Sequence, residues 1–78
     1  MQYTIKFNFN TIKPGRGGSI NGKSGSAECD ITADFTLKEL ETKTDDLKAV
    51  AFHSIKDNPK IKKMGEILSV EITDIIDR

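Results

Sequence analysis

The sequence predicts a small α+β domain, ββαβ: a three-stranded antiparallel sheet in the order second–first–third, with one helix packed on a face. Three observations predict it. Residues 3–9 and 27–35 alternate apolar and polar side chains with period two, residues 37–55 change to a helical period, and residues 68–73 return to period two.

In the first strand Tyr3, Ile5, Phe7 and Phe9 alternate with Gln2, Thr4, Lys6, Asn8 and Asn10, so the odd positions face a core. Residues 13–26 hold five glycines, Pro14 and three serines, which predicts a long polar loop. In the second strand Ala27, Cys29, Ile31, Ala33 and Phe35 alternate with Glu28, Asp30, Thr32 and Asp34, giving one apolar and one acidic face. A two-residue turn at Asn21-Gly22 with an unbroken ladder would set Phe9 opposite Asp34. Both strands bury odd positions, so paired positions must add up to an even number. The expectation is therefore a bulge or a wider loop between Thr11 and Ala27, projecting and not zipped into a ladder.

Leu37, Leu40, Leu47, Val50, Ala51 and Ile55 form one helical stripe. Thr36 with Glu39 reads as a capping box, and Thr44 before Asp45-Asp46 as a second start, so residues 37–57 form either one helix or two. Pro59 ends the helix at Asn58. Leu68, Val70 and Ile72 alternate with Ser69, Glu71 and Thr73 as a last strand. A right-handed crossover places that strand beside the first, leaving the second and third as edges open to a homodimer or to a partner's strand.

Seventy-eight residues make one domain, 1–78, with a core too thin to enclose a deep substrate pocket as well. Cys29 is the only cysteine, so no internal disulfide forms. The first ten residues lack the apolar block of a signal peptide, and no apolar run reaches membrane-spanning length. A cytoplasmic location with no membrane partner is expected. Net charge is zero but uneven: +4 over residues 1–27, −5 over 28–47 and +1 over the remainder.

Residues 17–24, GGSINGKS, match the phosphate-binding pattern G-x-x-x-x-G-K-[ST]. That chemistry needs a helix after the loop, so that its N-terminus adds backbone N–H groups and a dipole. The residues that follow alternate as a strand, and a hairpin connection explains the glycines. Cys29 and His53 would make a thiolate–imidazole pair only if they met. Cys29 points inward, whereas His53 lies about 240° from Leu47 on the helical wheel. Asp45-Asp46 and Glu39/Glu41 suit helix starts. No catalytic residue, cofactor site or metal site is assigned, and the chain is not read as an enzyme.

Binding is the remaining chemistry. Arg16 and Lys23 in the basic loop, with Glu28, Asp30 and Asp34 on the acidic strand face, are the candidate partner contacts. Phe52, about 130° from the centre of the core stripe, either folds under the loop or chain end or anchors another protein. Lys13, Arg16, Lys23, Lys60, Lys62 and Lys63 offer phosphate contacts for a nucleic-acid-binding alternative, although aromatic stacking residues are missing from both segments.

The segments AECDITADF, TDDLKAVAFHSI and EILSVEITDI, with the lysine-, isoleucine- and asparagine-rich usage and the ββαβ plan, resemble small accessory proteins of phages and mobile elements, of the anti-CRISPR or anti-defence type. The resemblance implies a phage-encoded inhibitor acting stoichiometrically on a host protein, for example a defence nuclease complex, in the host cytoplasm. It transfers no functional residue. A self-assembling subunit joined through sheet edges is a further alternative.

Overall fold

A computed structural model describes residues 1–18 and 20–78, and of Arg16 only the backbone. The order is β1 (Gln2–Pro14), a 3₁₀ turn (Arg16–Gly18), β2 (Ile20–Thr32), α1 (Leu37–Glu41), α2 (Thr44–Ile55), α3 (Pro59–Met64) and β3 (Glu66–Asp77). The sheet runs β2-β1-β3, antiparallel at both pairings, as the period-two segments predict. The helices pack on one face, and the other face is uncovered.

Tyr3, Ile5, Phe7, Phe9 and Thr11 of the central strand are all buried, and Leu40, Leu47, Ala51, Ile55 and Ile61 close over them from the helices. Thr11 is the one polar residue in that row. Its hydroxyl is 3.3 Å from both the Lys23 and the Met64 carbonyls and donates to either, so it enters the core satisfied.

The β1–β2 register adds up to 34 at every pair, the even value that two odd inward faces require. The way it is reached differs from expectation. Asn21-Gly22 is not the turn, and residues 20–26 do not form a loop; the ladder continues without a bulge to Pro14↔Ile20, the last pair before the hairpin connection. Gly17 there takes φ +71°, a left-handed conformation costly for any residue with a Cβ. The glycines and serines of β2 have little strand preference of their own, but β1 offers each a ladder partner. The Phe9 ring lies over Gly25, where a Cβ would come within 2.7 Å of it.

The helical segment divides into three. Thr36 caps α1, its hydroxyl accepting from the Glu39 N–H at 3.3 Å. At Thr42 and Lys43 the backbone bonds back three residues, to Glu39 and Leu40, which ends α1 and lets α2 start in a new direction. Asn58 then caps α3 by accepting from the Lys60 N–H at 2.9 Å, with Pro59 at the first helical position. Pro59 thus ends one helix, as expected, and also opens another over Pro59–Met64. Val50, placed on the core stripe by its spacing, stays 41% exposed.

The last strand holds the main correction. Leu68 is 67% exposed and does not belong to the core face; Ile67, Val70, Ile72 and Ile75 are the residues packed on the core. Two irregularities in the β1–β3 register, beside Asn10/Thr11 and Lys6/Phe7, leave Leu68 and Thr73 as extra residues. The first bulge flips the inward phase from odd to even and the second flips it back. Leu68→Ala should accordingly leave urea-denaturation stability within about 0.5 kcal/mol, whereas Ile72→Ala should cost about 2 kcal/mol.

Candidate interaction surface

The uncovered sheet face is built from the even positions of β1 and the residues paired with them. Lys6 lies between Glu28 and Asp74, Asn8 between Ser26 and Glu71, and Asn10 between Ser24 and Ser69. Thr4 Oγ1 donates to Asp30 Oδ1 at 2.8 Å, and Arg78 pairs with Asp30 Oδ2 at 2.9 Å from beyond β3. Asn10 Nδ2 donates to Ser69 Oγ at 3.0 Å. Among the described side chains Glu28, Asp30, Glu66, Glu71 and Asp74 face Lys6 and Arg78 here, so these groups of a chain neutral overall give the face −3. Its depressions are shallow; one of about 440 Å³ opens beside Lys6, Asn8, Ser26, Glu28 and Thr73.

Of the five expected partner contacts whose side chains are described, Glu28 and Asp30 lie on this face. Lys23 pairs with Thr11 and so shares the helix-covered side, at the hairpin end. Asp30 lies seven positions further along the strand, about 23 Å away. Asp34 is exposed in the bend after β2. Phe52 is 39% exposed on α2, lines a shallow groove with Ile61 and Ile67, and meets the His53 ring edge-on at 5.8 Å. The Arg16 side chain lies outside the described residues. None of Glu66, Glu71 and Asp74 was assigned as a partner contact; alternation with Val70 and Ile72 does put Glu71 on the polar face, but a bulge separates Glu66 and Asp74 from it and hides their place there from a period-two reading.

The helix-covered side leaves β2 half open. α2 packs chiefly against β3, and the gap beside β2 is a groove of about 480 Å³ walled by Ile31, Ala33, Phe35, Leu40, Leu47 and Val50. β2 ends at Thr32, so Phe35 is not a strand residue as its spacing suggests; its carbonyl accepts from the Tyr3 hydroxyl at 2.6 Å, and the Lys43 ammonium sits 4.6 Å over its ring.

The catalytic look-alikes are accounted for structurally. Residues 17–24 run from the turn into β2, with a strand where phosphate binding would need a helix. Cys29 is half-buried on β2, whereas His53 is exposed on α2 beside Phe52, and the hydroxyl next to it, Ser54 Oγ, donates to the Ala51 carbonyl at 2.6 Å. Burial pushes the Cys29 thiol above its ordinary 9.0, the Ser54 hydrogen bond partly offsets this, and the Asp30 charge adds to the rise. No group of three or more His, Cys, Asp or Glu side chains is placed to hold a metal ion among the described residues. No helix among them is long and apolar enough to cross a membrane.

Tyr3 is also raised above its ordinary 10.0, by burial first and then by the Asp77 and Glu39 charges. Both groups hold their protons to higher pH in the folded chain than in the unfolded one. Their contribution is complete below 9.0 and falls as pH rises past that value and then past 10.0, through the raised folded values. Urea midpoints should therefore be flat near neutrality and drop on the alkaline side, and Cys29→Ala should remove the earlier part of the drop.

Set against protein-family models, characterised proteins and solved structures, the chain matches none.

Proposed function

We propose that the chain is a non-catalytic protein-binding inhibitor or adaptor of the anti-defence type, working in a phage host's cytoplasm by stoichiometric masking of a basic working surface on a host protein. The flat, uncovered acidic sheet face carries the proposal. It is broad, its depressions are open and shallow, and it is of one dominant sign, which suits contact with a complementary surface of a macromolecule better than enclosure of a small substrate. The polar groups along it, Asn8, Asn10, Ser24, Ser26 and Ser69, add hydrogen-bonding capacity without the aromatic platform that stacks bases.

The nucleic-acid alternative draws less support. The sheet face repels phosphates. The basic residues are divided between the hairpin end, with Lys13 and Lys23, and α3, with Lys60, Lys62 and Lys63, and Lys62 is shared with Asp57 at 3.8 Å.

A tagged chain drawn from host lysate tests the proposal. The expected result is one protein partner, stoichiometric, retained after nuclease treatment and released progressively by salt. Material lost on nuclease treatment alone would transfer the role to nucleic-acid binding.

A further inference from the structure

Resting on the protein-binding role above, we propose that the free edge of β2 takes an extended partner segment in which basic and aliphatic residues alternate, its basic side chains meeting Glu28 and Asp30 and its aliphatic ones entering the groove beside α2.

The edge is available in a specific way. The Ala33 N–H donates to the Met1 carbonyl at 2.9 Å, and hydrogen-bonded pairs in an antiparallel ladder recur every second residue. The odd residues of β2 therefore turn their backbone groups toward β1. The even ones, Glu28, Asp30 and Thr32 among them, turn N–H and C=O outward. No helix replaces a strand there, and β2 runs thirteen residues without a bulge. β3, the other edge, is broken by the bulges at Leu68 and Thr73, which disturb the even spacing an added strand needs.

The two sides of this edge dictate the occupant. On the open face an incoming residue opposite Glu28 or Asp30 meets a carboxylate, so lysine or arginine is favoured. On the covered face a residue opposite Cys29, Ile31 or Ala33 looks into the groove walled by Leu47 and Val50, so an aliphatic side chain is favoured.

A second copy of β2 does not meet these terms. Face matching restricts self-pairing to a few registers. Cys29 opposite Ala27 sets Glu28 on Glu28, and Cys29 opposite itself sets Glu28 on Asp30. Cys29 opposite Ile31 sets Asp30 on Asp30, and Cys29 opposite Ala33 sets Glu28 on Asp34. Registers that separate the acids move Lys23 or Gly25 opposite Cys29 and leave the groove unfilled. Every apolar match brings acid against acid, so the occupant is a different chain.

The probe is a capped peptide of about nine residues alternating lysine and valine, long enough to pair along residues 26–33. Its controls are glutamate–valine alternation and a lysine-block, valine-block peptide of the same composition. In NMR titration the alternating peptide should slow amide exchange of Glu28, Asp30 and Thr32 at least tenfold, and both controls should bind at least tenfold more weakly. Val50→Lys, at a half-exposed position, should lower affinity for the alternating peptide at least tenfold, and Val50→Ser by less. Equal binding of all three peptides, protection confined to β3, or unchanged affinity in Val50→Lys would overturn the inference. Host-partner capture that survives Val50→Lys but is lost on reversing charges on the β3 side of the open face would also overturn it, while leaving the protein-binding role intact.

Discussion

Gly65→Ala should lower stability by about 3 kcal/mol, on a total of about 4–12 kcal/mol for a domain this size, and lower Tm by about 15 °C. Gly65 closes α3 and begins the return into β3 at φ +126°, a conformation that costs about 1–3 kcal/mol for any residue with a side chain. Space compounds the strain. A Cβ there would come within 2.5 Å of the Ile12 carbonyl oxygen and 2.9 Å of its carbon, and these are backbone atoms that cannot rotate aside. Relief requires α3 to move away from β1, taking buried Ile61 with it. Gly18→Ala is the control: φ is +81°, but nothing lies within 4 Å, so it should cost only about 1 kcal/mol. Equal losses in the two variants would mean that backbone strain, not crowding, sets the effect at Gly65.

Reversing Glu28, Glu71 and Asp74 to lysine should weaken partner binding at least 100-fold, about 2.7 kcal/mol. The triple change turns the sheet face from −3 to +3 without touching a core residue. Lys6 would then stand between two lysines, and such like-charge cross-strand pairs cost about 1 kcal/mol at most each, so folding by circular dichroism should persist. Lys60→Glu with Lys63→Glu, on the helical layer, should leave affinity within about twofold, since charges beyond a Debye length of roughly 8 Å are screened. Equilibrium binding at two salt concentrations reads both arms. Retained binding in the triple variant with loss in the α3 pair would move the contact surface to the helices.

The central strand was legible from Gln2 to Asn10, where both faces obey one rule, but its continuation through Thr11 to Pro14 was not, because residues 13 and 14 open a stretch whose composition reads as a loop. The helix break was half legible, since Thr44-Asp45-Asp46 marks a start but nothing in sequence shows the backbone turning at Thr42. α3 gave no periodic signal because it buries one residue, Ile61, behind a proline that reads as a terminator. Residues 20–26 looked like a loop because strand formation there is imposed by a neighbour and not by their own preference, an effect outside any local window. On the surface, Glu28 and Asp30 could be paired with the open face from their alternation alone. Glu71 could be paired with it too, from its alternation with Val70 and Ile72, but Glu66 and Asp74 could not, because a bulge separates each from Glu71 and the phase that unites these acids exists only once β3 has docked.

The central strand also sets an order of assembly. β1 and β2 are joined by five residues and can zip as a local hairpin within microseconds. The other side of β1 waits for residues more than fifty positions away, with Ile12 meeting Glu66 and Tyr3 meeting Asp77. Closing a loop of that length costs entropy that no contact repays until the helices have condensed, so the folding rate is set by docking of β3 and not by the hairpin. Until then one edge of β1 is unpaired and its row of Tyr3, Ile5, Phe7 and Phe9 lacks most of its cover, which makes the half-assembled hairpin the species most prone to join another copy of itself.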